Sequence, residues 1–377
     1  MIIRKVDIWH LNLAFKSPVK HNLATHRGSE NIILKVTTDG GMAGYGEGIP
    51  RTFVTGETIP ESLSFLKEEL IPIILRTSLA SGQIIFDTLA HSYSKSRDQA
   101  YPAAFCAVEM ALLDAAGKTW GKSLGDFLGP RLRERVVYSA VLPMASPTQM
   151  ARFFDLVKTK NMRFLKLKVG NNSDLEILKS AREKLGWEID IRVDANAAWT
   201  ANEAIARIEE MTPYRISAVE QPVAKTDFAG LQKVSAALPI PIIADESICT
   251  EEDAQRLIEL QACQIFNLRL SKCGGLGRAT RIKQMAEKAG IRCQLGCHVG
   301  ETSILAAAGR YFALCNNHLA YVEGSFAPYL LTKDPVCPSV VFDNGGLASG
   351  FLDPGLGVRV MDSILEELAI SKVTIGE

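Results

Sequence analysis

Seven polar residues recur at a nearly constant interval between positions 168 and 323, and their types suit proton transfer on a charged substrate. Lys168, Asp194, Glu220, Asp245, Lys272, His298 and Glu323 are separated by 26, 26, 25, 27, 26 and 25 residues. Three consecutive members are acids. If Asp194, Glu220 and Asp245 converge, their mutual repulsion in a partly buried site calls for a divalent cation. Hard oxygen ligands on three separate elements suit Mg²⁺ better than zinc or calcium, with Mn²⁺ able to stand in for it. Asn196 and Glu246 follow the ligand positions closely enough to orient them from a second layer. Taken singly, each acid could instead cap a following helix; three in register argue for a site.

Lys166 and Lys168 alternate with apolar neighbours in Leu165-Lys166-Leu167-Lys168-Val169, so they share one strand face. Two adjacent ammonium groups lower each other's pKa, which makes one of them usable as a neutral base near pH 7. Lys272, four strands further round a ring of eight, would face them across a bound substrate. The set fits abstraction of a proton from carbon next to a carboxylate, a step whose difficulty is the enolate charge that Mg²⁺ and a lysine can stabilise. His26, Arg27 and Arg51 are candidates for binding a distal anionic group, and His298, Glu301 and Glu323 for further substrate contacts.

These residues need elements that bring them together. Each of the first five of these polar residues stands behind a short apolar run, at 164–167, 189–193, 216–219, 240–244 and 265–270. One strand plus one crossover helix takes about this many residues, so the pattern reads as repeated βα units whose strand ends converge on one face. The expected fold is α/β, a modified (β/α) TIM barrel with an N-terminal α+β capping domain. Residues 1–130 would form the cap, 131–337 the barrel, and 338–377 a C-terminal segment returning to the cap. Within the cap, 2–14, 30–37 and 42–47 read as strands, the last two joined through Asp39-Gly40. Residues 15–30 and 51–58 read as loops, and helical pattern runs from there to about 129. Residues 136–142 are expected as the first barrel strand. Ser146-Pro147 then opens a helix with Met150, Phe153, Phe154 and Val157 turned to the sheet. Further helices should start near Ser173, Thr200, Asp227, Thr250, Leu276 and Glu301, with irregular chain as the eighth crossover and a short helix and strand in the tail. Gly274-Gly275-Leu276-Gly277 lacks the Gly-Lys-Ser/Thr of a phosphate loop and reads as a tight turn.

Composition narrows the partners. The 42 basic and 42 acidic residues balance, which gives no basis for binding nucleic acid or an anionic membrane surface. No apolar run approaches a membrane span, and the start lacks the features of a signal peptide, so a cytoplasmic location is expected. Eight cysteines are scattered without a C-x-x-C pair, which fits reduced thiols better than a zinc site.

On Lys166-Leu167-Lys168, Asp194-Ala195-Asn196, Glu220-Gln221-Pro222, Asp245-Glu246-Ser247 and Lys272-Cys273-Gly274-Gly275, the chain resembles the enolase superfamily, and within it the muconate-lactonizing-enzyme (muconate cycloisomerase) subgroup. The resemblance implies that Asp194, Glu220 and Asp245 bind Mg²⁺, that Lys168 is a base assisted by Lys166, and that Lys272 works on the other face. It also implies N-terminal loops that close over the barrel mouth, a small carboxylate substrate and a homo-oligomer. A muconate-type cycloisomerase is the leading expectation, because Phe326-Ala327-Pro328 and Glu301 look like the lactonizing enzymes. Dipeptide epimerases of this kind carry an Asp-x-Asp pair after the eighth strand for the substrate ammonium, where this chain has Glu323-Gly324-Ser325. The alternatives are a dipeptide epimerase, an N-acylamino acid racemase or an o-succinylbenzoate synthase, and more remotely a binding protein that turns nothing over. His298 departs from the subgroup pattern and reads equally as a substrate ligand or acid and as a structural histidine.

Overall fold

The computed structural model describes residues 1–22, 24–95 and 101–377; the helical reading of 96–100 falls outside the described residues. The chain opens with three antiparallel strands, β1 (Ile3–His21), β2 (Ala24–Thr38) and β3 (Ala43–Gly48). The expected loop at 15–30 is in fact the far end of the β1–β2 hairpin. After an irregularity between Ala14 and Val19, the ladder resumes with Val19 opposite His26 and Lys20 opposite Thr25. Cross-strand pairing outweighs the polar composition there, because a two-stranded ribbon satisfies its backbone groups without a buried face.

Helix packing against β3 is dictated by small residues. Gly44, Gly46 and Gly48 share one strand face, and the helix Pro102–Trp120 offers Ala103, Ala107, Ala111 and Ala115 at every fourth position. A Cβ on Gly46 would lie 1.9 Å from the Ala107 carbonyl oxygen, and one on Gly44 2.2 Å from that of Ala111. Strand and helix therefore touch backbone to backbone. Asp114 on the same helix accepts the Tyr45 and Leu356 N–H groups, each at 2.8 Å, and so ties β3 and the C-terminal Gly355–Gly357 turn to one point.

The barrel follows. The expected single strand at 136–142 is two: β4 (Arg135–Val137) and β5 (Ala140–Leu142). The parallel sheet then runs β5, β6 (Phe164–Lys168), β7 (Asp190–Asp194), β8 (Ile216–Glu220), β9 (Ile242–Ala244), β10 (Ile265–Leu268), β11 (Arg292–Leu295), β12 (Leu319–Val322) in unbroken sequence order. Ser139 N–H donates to the Val322 carbonyl at 2.8 Å, bringing the last strand back to the first. β4 leaves the barrel to pair antiparallel with β13 (Leu347–Ser349), and β14 (Ala369–Gly376) pairs antiparallel with β1.

The outer helices begin where their caps stand. Ser146, Thr200 and Thr250 form capping boxes with Gln149, Glu203 and Asp253, and Asp227 accepts the Gly230 N–H. In the helix Pro147–Thr159, Met150, Phe154 and Val157 are buried, and Phe153 is half-buried, packed against the core while also lining a cavity. A short helix, Ala327–Leu330, occupies the eighth crossover. No helix of the described residues is long and apolar enough to cross a membrane.

Candidate active site

Parallel pairing sets the strand ends level. Lys168 stands opposite Asp194, and Asp194 opposite Glu220. Asp245 is one residue beyond β9, and all three acids are fully buried. Asn196 and Gln221, just past the first two acids, have positive φ of 44° and 36°. Backbone held in that region is costly and concentrates at functional sites. The Gln221 side chain is tied down: its Oε1 accepts from Asp245 and Ser247 N–H groups at 2.9 and 3.1 Å, which fixes the turn carrying Asp245.

Each acid is held by cations of this chain. Lys168 Nζ lies 2.6 Å from Asp194 Oδ2 and donates at 2.6 Å to Asn196 Oδ1. Lys166 Nζ bridges Glu220 at 3.2 Å, Asp194 at 3.4 Å and Glu323 at 2.7 Å. Glu220 also accepts from Asn267 and Gln294, both at 2.9 Å. Asp245 is paired with the guanidinium of Arg269, which is also 3.8 Å from Glu220, and with Lys272 Nζ at 2.8 Å. Asn196 Nδ2 donates to Glu246 at 3.1 Å, so the two expected orienting groups touch each other, and Asn196 also meets Asp194 and Lys168.

The expected mutual lowering of the two lysine pKa values is not what the surroundings impose on Lys166. Burial pulls its ammonium down, but Glu220, Glu323 and Asp194 together outweigh that and raise it above the usual lysine range. Lys272 goes the other way, pulled below the usual range by burial. It lies four residues past the end of β10, in the one-turn helix Leu270–Cys273, and not at the strand end expected of it. Its amine donates to the carbonyls of Asp245 and Asn267 at 2.6 and 2.8 Å.

A cavity of about 280 Å³ opens on this cluster. Of the expected site residues it is lined by Lys166, Lys168, Asn196, Glu246, His26, Arg51, His298, Glu301 and Glu323. Arg27 is exposed on β2 and does not reach it. Asp194, Glu220, Asp245 and Lys272 stand behind the lining. His298 is buried with neither ring nitrogen partnered among the described residues, and burial with Arg269 and Arg51 nearby holds it well below the usual imidazole range. It is a neutral ring, and its backbone N–H donates to Glu301 at 2.6 Å. Burial raises Glu301 to about 8. Across the mouth, His21 and His26 meet through their Nε2 atoms at 3.0 Å, and Arg51 donates to Ser29 Oγ at 2.6 Å and the Val299 carbonyl at 3.1 Å. The N-terminal hairpin thus meets the loop after β11.

Sequence reading missed two arginines. Arg192 is fully buried, 2.5 Å from Glu323, with its guanidinium over the Tyr321 ring at 4.3 Å. It shares a strand face with Asp194, two residues on, which was the available signal. Arg269 lies two residues beyond Asn267, whose amide binds Glu220, and the same alternation points it inward. The glycine turn at 274–277 has its own acceptor: Glu109 Oε1 takes the Leu276 and Gly277 N–H groups, filling the helix N-terminus.

The donor set fits a hard divalent cation. Asp194, Glu220 and Asp245 supply three carboxylates from adjacent strand ends, and Glu246 beside them has a buried Oε2 with no partner among the described residues. Among the described residues no three ligands are grouped closely enough to grip an ion, and Arg269 spans two of the three acids. A metal held there would take over charge compensation from that guanidinium.

Buried acids at three neighbouring strand ends of a β/α barrel, with amines on either side, gather the charged groups at the barrel mouth. Residues 3–129 match the mandelate racemase / muconate lactonizing enzyme N-terminal domain, and 149–364 the enolase C-terminal domain-like family. The chain belongs to the enolase superfamily. It is 31% identical over 370 residues to an L-Ala-D/L-Glu epimerase of Clostridium acetobutylicum, covering 95% of this chain and 99% of that one. Its fold superposes on N-succinyl Arg/Lys racemase from Bacillus cereus with a TM-score of 0.92 at 28% identity, and on a dipeptide epimerase from Cytophaga hutchinsonii, solved with Mg and D-Ala-L-Val, with 0.90 at 29%; both cover 100% of each chain. The protein is an isomerase or lyase of that superfamily.

Proposed function

We propose that the protein is a Mg²⁺-dependent racemase or epimerase of N-acylated amino acids, working through proton removal at the carbon next to the carboxylate. The observation that carries this is the placement of amines at both ends of the acidic arc: Lys168 on Asp194 at 2.6 Å and Lys272 on Asp245 at 2.8 Å. A substrate carboxylate drawn to the centre of the arc would have Lys168, in the cavity lining, on one side of its α-carbon and Lys272, just behind the lining, on the other. One takes the proton and the other returns it from the opposite face, which inverts the centre. Lys166, held as an ammonium by three acids, supplies fixed positive charge against the developing enolate. Bound Mg²⁺, held by Asp194, Glu220 and Asp245, would neutralise the same charge. The neutral His298 ring has two nitrogens without a partner among the described residues, and these would orient the substrate.

This replaces muconate cycloisomerisation as the leading reading. A cycloisomerase needs a proton carrier on one face alone, and the relatives named above are epimerases and racemases. An N-acyl substrate is favoured over a free dipeptide by the residues after β12. Glu323 is already bound to Lys166 and Arg192, and Ser325 stands where a second acid would be needed for an ammonium. The test is polarimetry on N-acyl amino acids, free dipeptides and muconates, with Mg²⁺ and after chelation. Metal-dependent loss of rotation with the N-acyl compounds supports the proposal, and turnover confined to muconates refutes it.

A further inference from the structure

The catalytic cavity does not end at the barrel mouth. It continues sideways past the end of β5, between the helix Pro147–Thr159 and the chain after β12. One wall is Phe153, Val157 and Met162; facing it are Phe326 and Phe342. The aromatic wall is braced, with Phe342 packed on Tyr138, Phe326 and Tyr329 at ring separations of 5.5, 6.3 and 5.7 Å. At the outer end, Leu156 and Tyr329 are 48% and 44% exposed. Of the lining residues that these segments contribute, Lys160 alone is charged.

The apolar surface of the helix Pro147–Thr159 thus extends beyond what the core takes up. Met150, Phe154 and Val157 serve the core and Phe153 packs against it with part of its ring left to the cavity, but Leu156 is left out of the core. An apolar side chain left half-exposed in a cavity that joins catalytic lysines is explained by a ligand that covers it. Lys160 being the one charged residue that these segments add to the lining, the arm disfavours a free amine there.

We propose that this arm receives an extended apolar acyl group, so that the substrates are amino acids acylated with chains several carbons long. The inference rests on the N-acyl reading above and specifies its substrate class. Burying each further methylene should tighten binding about fourfold until the chain reaches the Leu156–Tyr329 opening.

Two series of measurements separate the arm from the reaction. In the first, KM is measured for N-acetyl, N-butanoyl, N-hexanoyl and N-octanoyl derivatives of one amino acid, with wild type and Leu156→Glu. This substitution is at a half-exposed position, and unchanged thermal unfolding checks the fold. KM should fall with chain length in the wild type, and the gain from the longest chains should disappear in the variant while the N-acetyl compound is unaffected. In the second, unreactive alkyl carboxylates from butanoate to decanoate are titrated by calorimetry in the presence of Mg²⁺. Affinity that rises with length supports the arm even if no N-acyl amino acid is racemised, in which case the reaction assigned above falls alone. Affinity independent of length in both series, or a length dependence that Leu156→Glu leaves intact, overturns the arm.

Discussion

Replacing Arg269 by Met removes a charge while keeping an unbranched chain of similar reach. The guanidinium is paired with Asp245 and lies 3.8 Å from Glu220, both fully buried. Breaking a buried pair by deleting one partner costs about 3–5 kcal/mol. Asp245 keeps Lys272 at 2.8 Å, so the lower end, about 3 kcal/mol, applies. With an unfolding entropy of about 2 cal/mol/K per residue, that lowers Tm by roughly 4 °C in chelator. Mg²⁺ no longer has to displace a resident cation, so its affinity should rise by about tenfold or more, equivalent to about 1.4 kcal/mol. Saturating Mg²⁺ should then restore most of the lost stability. Thermal melts in chelator and across a Mg²⁺ titration, with calorimetry for the affinity, read both numbers. An Mg²⁺ affinity that is unchanged or weaker in Arg269→Met would refute the idea that this guanidinium and the metal compensate the same acids.

Other expectations concern the frame and the interior. Gly46→Ala places a methyl group 1.9 Å from the Ala107 carbonyl oxygen and should destabilise the protein by about 3 kcal/mol in urea titrations. Glu323→Gln leaves the fully buried Arg192 without its carboxylate; a loss of about 3–5 kcal/mol in the same titrations is expected, and a change under 1 kcal/mol would contradict it. Burial raises the Glu109 carboxyl from 4.5 to about 7, so its native form holds the proton more tightly than the unfolded chain does. Its contribution to stability is full below about pH 4.5 and is lost as pH rises through about 7, on the order of 3 kcal/mol in all. Glu109→Gln should remove that part of the pH dependence when unfolding is followed at pH 5 and pH 8.

The strand ends were readable because a βα unit has a nearly fixed length, so one polar residue per unit left a periodic trace from Lys168 to Glu323. Helix starts were readable from Ser146, Thr200, Asp227 and Thr250, whose side chains satisfy local backbone groups. What could not be read depends on contacts far apart in sequence. The hairpin at 15–30 looks polar because it packs little of itself, and its pairing is a property of two strands together. Lys272 keeps the rhythm in number but leaves it in space, since Arg269 to Cys273 turns into a short helix. The raised pKa of Lys166 comes from Glu220 and Glu323, which are 54 and 157 positions away. Arg192 and Arg269 were within reach of a strict two-residue alternation, yet the partners that explain each charge, Glu323 for one and Asp245 for the other, lie on other elements.

The central claim, that one amine serves each face of the substrate, is tested most directly by following the α-proton of both enantiomers of an N-acyl amino acid by NMR in D₂O. The account predicts that the wild type labels recovered starting material from either enantiomer. Lys168→Ala should abolish exchange for one enantiomer and leave it for the other, and Lys272→Ala should show the reverse pattern. If both variants lose exchange for the same enantiomer alone, or if Lys272→Ala exchanges both as fast as the wild type, the two-sided arrangement does not operate.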